Sequence, residues 1–241
     1  MNLDVAGARA LAVGLKQQLA GNDQSDIAVC PAFLHLPAVA EILAQSPISL
    51  GAQDAYSHPN GAFTGEISVD MLKDVGVRYV IVGHSERRHV LGESDACINE
   101  KLLAILAGGL SPIICVGELL DERENGQTEA VIDRQLCLGL AEIAEEDLPR
   151  LTIAYEPVWA IGTGKTATAS QAQEAHAFIR QKLTELFDNA IAQDLRIQYG
   201  GSVKLGNAAE LMACPDVDGV LVGGASLNAD DFCAIVQCGV N

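Results

Sequence analysis

The feature that most limits what this chain can fold into is a repeated alternation of two kinds of segment. Short runs rich in apolar and β-branched residues occur at Asp26–Cys30, Ile48–Gln53, Val77–Val82, Pro112–Val116, Leu151–Tyr155, Leu195–Tyr199 and Val217–Val222. Runs of this length, bounded by turn residues, read as buried parallel strands rather than helix fragments. Longer amphipathic stretches lie between them. Leu11, Leu15 and Leu19 recur every fourth residue in the first, Ala130–Ile143 carries a second, and Ser170–Phe187 a third with Ser170 as its expected N-cap. Such alternation predicts βα units around a parallel sheet. The chain opens on a helix instead of a strand, and seven strand runs are present. A doubly wound sheet accommodates seven strands, whereas a closed barrel of this length uses eight, so periodicity leaves both open. No linker or low-complexity segment divides the sequence, which predicts one domain over residues 1–241.

Composition narrows the partners. Apolar residues make up 49% and aromatic residues only 4%, so the expected core is mainly Ala, Leu, Ile and Val. The formal charge of −17 argues against nucleic acid or an anionic membrane surface as partner. It leaves room for a small anion, because local backbone amides outweigh a distant, screened field. No apolar run approaches the length of a membrane helix, and Met1–Gly7 lacks the basic start and apolar stretch of a secretory signal. Seven cysteines without a Cys-x-x-Cys pair read as reduced thiols in a cytoplasmic protein, with neither disulfide framework nor metal site expected.

Chemistry-bearing residues gather just after the strand runs, the ends that share one face in a parallel α/β protein. Val77–Val82 runs into Gly83-His84-Ser85-Glu86, and Leu151–Tyr155 into Glu156-Pro157-Val158-Trp159 and then Gly162-Thr163-Gly164-Lys165-Thr166. The last two runs end in Gly200-Gly201-Ser202 and Gly223-Gly224. Each has a plain reading: His84 as a structural histidine, Glu156 as a loop carboxylate, the paired glycines as tight turns. Their joint placement favours proton transfer on a phosphorylated substrate. Gly162–Thr166 also looks like part of a nucleotide-binding P-loop, but that pattern needs a glycine where Trp159 stands.

Taken together, Gly51–Gln53, Asn60–Ser68, Val82–Arg88, Ile114–Glu118, Ala154–Thr166, Tyr199–Val203 and Leu221–Leu227 resemble the diagnostic motifs of triosephosphate isomerases. The resemblance implies an α/β fold, the TIM (β/α)8 barrel, here with seven of eight strands. It implies interconversion of dihydroxyacetone phosphate and glyceraldehyde 3-phosphate without cofactor or metal. Glu156 matches the family's base and His84 its electrophile, a histidine kept neutral by a lowered pKa in the usual account of this enzyme. Glu86 and Cys115 match supporting positions. Gly162, Ser202, Gly223 and Gly224 match those whose amides grip the phosphate, and Pro157–Ala167 matches a closing lid. The Tyr56–Glu66 loop resembles the family's dimer loop, with its tip near Thr64, which implies a homodimer.

One departure shapes the expectation. Met1-Asn2 aligns with the last two letters of an Asn-x-Lys-Met-Asn motif that follows the family's first strand. Either an internal methionine was taken as the start, or the short chain is the real product. Without that strand, roughly three or four buried apolar side chains at about 1.5–3 kcal/mol each would be lost and two sheet edges left open. Without that lysine, activity is expected to fall by about 10²–10³. The dimer would also be weakened. A phosphate-binding relic without turnover is the alternative function.

Overall fold

In the computed structural model, which describes residues 1–239, each predicted strand run coincides with a parallel strand, the fourth starting one residue early at Ser111. These are β1 (Ile27–Val29), β2 (Ile48–Ala52), β3 (Tyr79–Val82), β4 (Ser111–Val116), β5 (Thr152–Tyr155), β6 (Arg196–Tyr199) and β7 (Gly219–Val220). The helices are α1 (Val5–Gln18), α2 (Leu36–Leu43), α3 (Val69–Asp74), α4 (Ser85–His89), α5 (Asp95–Ala107), α6 (Leu120–Glu124), α7 (Thr128–Gly139), α8 (Ala169–Leu186), α9 (Asn189–Asp194), α10 (Leu205–Met212) and α11 (Ala229–Cys238).

Strand order in the sheet follows chain order from β1 to β7 without a reversal. A doubly wound sheet changes direction partway, so that alternative falls away and the fold is a TIM barrel with seven strands among the described residues. The sheet curls. Cys30, just after β1, and Leu221, just after β7, both pack on one interior cluster of Ile81, Ile113, Cys115 and Ala154. An ion pair of 2.7 Å from Arg196 at the start of β6 to Asp26, just before β1, spans the same closure at the opposite end. Outward-facing Ile114, Ile153 and Ile197 are fully buried against the helical layer, which contributes Leu102, Ile132, Leu136 and Ile179.

Local differences from the sequence expectation have identifiable causes. Thr168, not Ser170, caps α8: its hydroxyl accepts from the Gln171 amide at 3.2 Å, and the Gln171 side chain accepts from the Thr168 amide at 3.0 Å. That reciprocal box satisfies two orphan donors at once, which a cap at Ser170 would not. Ser170 lies in the first turn and donates to Glu174 at 3.0 Å. Val217–Val222 shortens to Gly219–Val220, because the Asp218 carboxylate turns back to the Ile197 amide (2.8 Å) and to Arg180 (2.6 Å). Lys16 donates to the carbonyls of Ile42 and Ala44 at 2.7 and 2.8 Å, closing the last turn of α2 where a cation is favoured. No helix among the described residues is long and apolar enough to cross a membrane.

Candidate active site

Because all seven strands are parallel, their carboxyl ends form one rim. His84 leaves β3 through Gly83, whose φ of +66° is a left-handed conformation that favours glycine. It is the N-cap of α4, and its Nδ1 accepts the Glu86 amide at 3.3 Å. With Nδ1 an acceptor, the neutral ring carries its proton on Nε2. That nitrogen lies 3.0 Å from Oε1 of Glu156, which leaves the end of β5 and is almost wholly buried. The other carboxylate oxygen, Oε2, accepts the Ser85 amide at 2.9 Å. The two residues singled out from distant parts of the sequence thus meet directly.

The electrostatics of His84 differ from expectation. Burial lowers its pKa, but the hydrogen bond and negative charge of Glu156, with a smaller contribution from Glu86, outweigh burial and raise it above the ordinary histidine value. The reason is the arrangement itself: a buried carboxylate in direct contact stabilises imidazolium more than the first turn of a five-residue helix opposes it. Removing Glu156 from contact would remove that stabilisation.

Glu156 is held by its backbone as much as by its side chain. Its amide donates to the Val116 carbonyl at 2.7 Å, and the neighbouring Gly200 amide donates to the Tyr155 carbonyl at 2.7 Å. Two glycines allow the approach. A Cβ on Gly117 would lie 1.8 Å from the Glu156 carbonyl oxygen, and one on Gly200 would lie 2.9 Å from Glu156 Cγ. Arg88 joins the ends of β3 and β4, donating to the carbonyls of Gly83 and Cys115 at 2.8 and 2.9 Å while paired with Asp95 at 2.6 Å.

The other predicted positions divide. Cys115 is fully buried in the interior cluster; burial first, and then the charge of Glu156, push its thiol pKa well up, so it is a neutral packing group. Glu86 is 78% exposed with Oε2 3.8 Å from His84 Nδ1, a peripheral charge. Ser202 follows the Gly200-Gly201 turn, which abuts Glu156, and its carbonyl accepts from Asn207 at 2.9 Å. Gly223 and Gly224 lie exposed after β7, at the start of a 3₁₀ turn over Gly224–Leu227. Gly162 is exposed in the segment between β5 and α8, with φ +68°. Among the described residues no hydrogen bond joins these glycines to Glu156; they follow strand ends on the same rim.

That segment is anchored at its start by a residue outside the predicted set. Glu118, fully buried, accepts from Trp159 Nε1 at 2.9 Å, from Tyr155 Oη at 3.1 Å and from Arg123 at 3.2 Å. Its carbonyl takes the Val158 amide at 3.1 Å, and the Arg123 guanidinium lies 4.9 Å from the centre of the Trp159 ring. Gln135 of α7 is equally unforeseen: its side chain accepts from the Gly117 amide at 2.7 Å and donates to the Gly117 carbonyl at 3.2 Å. The available signal was a glutamine on the face that also buries Val131, Ile132, Leu136 and Gly139.

Comparison with known proteins agrees with this geometry. A sequence model of the family described as triosephosphate isomerase matches residues 1–239. Among relatives bearing that name, one from Rhodopirellula baltica is 49% identical over 98% of this chain and 93% of its own length. One from Syntrophotalea carbinolica is 53% identical over 96% of this chain and 92% of its own, and one from Thiobacillus denitrificans is 56% identical over 98% and 94%. With a family match of that extent laid over a curled parallel sheet that brings Glu156 and His84 together, the chain belongs to the triosephosphate isomerase family.

Proposed function

We propose that this chain interconverts dihydroxyacetone phosphate and glyceraldehyde 3-phosphate by proton transfer through an enediolate, the chemistry named for its relatives, as a cytoplasmic single-domain enzyme of glycolysis and gluconeogenesis. The observation that carries the reading is the 3.0 Å contact between Glu156 and His84 at the rim. A carboxylate can take a proton from a carbon acid held against it, and an imidazole Nε2–H is a ready donor to the oxygen on which charge develops. In the arrangement seen, both oxygens of Glu156 are occupied by protein donors. Substrate binding therefore requires the carboxylate to swing away, freeing the His84 and Ser85 donors for substrate oxygens and placing the base against carbon.

The phosphate is assigned to the amides of Gly162, Ser202, Gly223 and Gly224. Main-chain donors there serve a dianion despite the overall charge of −17. Closure of Pro157–Ala167 would bring Gly162 in and exclude water, pivoting on the Trp159–Glu118 anchor. Homodimerisation is assigned to the Tyr56–Glu66 loop, where exposed His58 stacks on Phe63 at 5.0 Å and Tyr56 packs at 4.8 Å from the same ring. Light scattering giving a monomer at micromolar concentration overturns the dimer.

A polypeptide of residues 1–241 is expected to turn over at a severely reduced rate, because the lysine of the family's Asn-x-Lys-Met-Asn motif has no counterpart in it. The second reading, a phosphate-binding relic, draws on the same occupied carboxylate. A coupled isomerase assay on this polypeptide, on a version extended by that strand and lysine, and on each with Glu156→Gln decides. Turnover that rises on extension and falls about 10²–10⁴-fold with Glu156→Gln supports the isomerase. Phosphate binding without turnover in either form favours the relic.

A further inference from the structure

We infer that Gln135 is a positioning residue for the proposed reaction, holding the three-residue segment Val116–Glu118 on which both the base and the start of the lid are hung. The inference deepens the isomerase reading and rests on it for its kinetic consequence.

The geometry points from the base outward. Glu156 is bound through its amide to the Val116 carbonyl at 2.7 Å, and two residues later the Val158 amide is bound to the Glu118 carbonyl at 3.1 Å. The Glu118 carboxylate then fixes Trp159 and Tyr155. Val116–Glu118 thus acts as a rail for Glu156–Trp159, although β4 and β5 have ended and no regular ladder continues. Gly117 in the middle of the rail has its peptide face pressed against Glu156, so close that any Cβ is excluded. Its own amide and carbonyl point to the other side, where β structure would supply a partner strand.

Gln135 supplies that partner. Its carboxamide accepts the Gly117 N–H at 2.7 Å and donates to the Gly117 C=O at 3.2 Å, reproducing the donor–acceptor pair of a neighbouring peptide. It is almost fully buried, on the packed face of α7, a helix anchored by Ile132 and Leu136 at zero exposure. The charged groups nearest along the rail are Glu118, paired with Arg123, and Glu156, in contact with His84. A neutral side chain that both donates and accepts is what this place requires. An apolar residue of the same length leaves both Gly117 groups buried and unpaired.

Three measurements test this, and one needs no substitution. In the unaltered chain, the Gly117 amide should exchange with solvent as slowly as amides within β4; exchange on the timescale of exposed loops overturns the inference. Gln135→Leu should shift the emission of Trp159, the sole tryptophan, and lower kcat about 10–100-fold with KM changed less than about threefold. Gln135→Glu gives the readout that a purely structural role would not move. Its carboxylate repels the Gly117 carbonyl, but its protonated form carries the donor and acceptor of glutamine. Between pH 9 and pH 6 its Trp159 emission and its kcat relative to the parent should recover toward parent values as pH falls, whereas the leucine variant stays flat. A folded Gln135→Leu with parent emission and kcat, or a Gln135→Glu without acid-side recovery, refutes the positioning role. If the parent itself shows no isomerase turnover, the functional reading fails, while the exchange and emission measurements still decide whether Gln135 holds the rail.

Discussion

Gly117→Ala is the most direct test of how Glu156, the proposed base, is placed. The added Cβ would sit 1.8 Å from the carbonyl oxygen of Glu156, 2.6 Å from its carbonyl carbon and 3.2 Å from its amide nitrogen. A comfortable contact is about 3.5 Å, so some 1.7 Å of separation has to be created. The atoms in the way are backbone on both sides, and neither side yields easily: Gly117 is clamped by Gln135, and Glu156 is bonded to Val116. Forced overpacking of this kind costs about 1–3 kcal/mol, which in a chain of this size lowers Tm by about 2–12 °C. The kinetic effect is of comparable size in free energy, since 100-fold in rate is about 2.7 kcal/mol. Displacing a reacting group by about 1 Å costs about 100-fold, so kcat is expected to fall by at least that factor, with KM much less affected. A coupled assay with thermal unfolding monitored at Trp159 reads both. Gly206→Ala is the control: at Gly206 in the first turn of α10 a Cβ would meet nothing within 4 Å, and the substitution should leave kcat unchanged and raise stability by about 0.5–1 kcal/mol. Should Gly117→Ala keep the parent's Tm and come within twofold of its turnover, close backbone approach does not set the position of Glu156.

The remaining expectations concern the groups around this frame. Glu118→Gln keeps an acceptor for Trp159 and Tyr155 and loses only the charge facing the partly buried Arg123, so it should cost about 1 kcal/mol; Glu118→Leu strands three donors and should cost about 3–5 kcal/mol in denaturant unfolding and alter Trp159 emission. His176 is fully buried with Nε2 lacking a hydrogen-bond partner among the described residues, and burial pushes its pKa down to about 4. The native state therefore refuses a proton that the unfolded chain accepts near pH 6.5. Stability should be complete above about pH 6.5 and fall by roughly 3 kcal/mol on going down to pH 4, a slope that His176→Phe should flatten in urea titrations. Lys101 is buried between Asp54 at 2.9 Å and Glu93 at 2.5 Å; Lys101→Met should destabilise by about 3–5 kcal/mol, visible as a lowered denaturant midpoint.

Much of the architecture was legible without coordinates because local physics enforces it. Every predicted strand run holds a strand, since short β-branched runs between glycine-rich and polar turns have no competing helical period to follow. The cap of α8 lies two residues before the serine that its sequence suggests, because the Thr168–Gln171 reciprocity outweighs a lone serine's preference. That Glu156 and His84 would lie at one rim was legible from their places after separate strands and from the long motifs around them. Glu118 and Gln135 were not so legible: a buried carboxylate bonded to an aromatic pair 37 and 41 residues away, and a glutamine clamping a peptide 18 residues back, leave almost no local trace.

By itself, then, the order of residues determined the period of each segment, the direction of the strands and which polar groups would reach the rim, because those depend on backbone geometry repeated over a few residues. The tertiary structure alone decided that the sheet curls in chain order, that Glu156 rests with both oxygens occupied, and that His84 in consequence is raised rather than lowered in pKa. Those are distances between groups far apart in the chain, and Coulomb and hydrogen-bond energies are settled by distance and burial rather than by residue type.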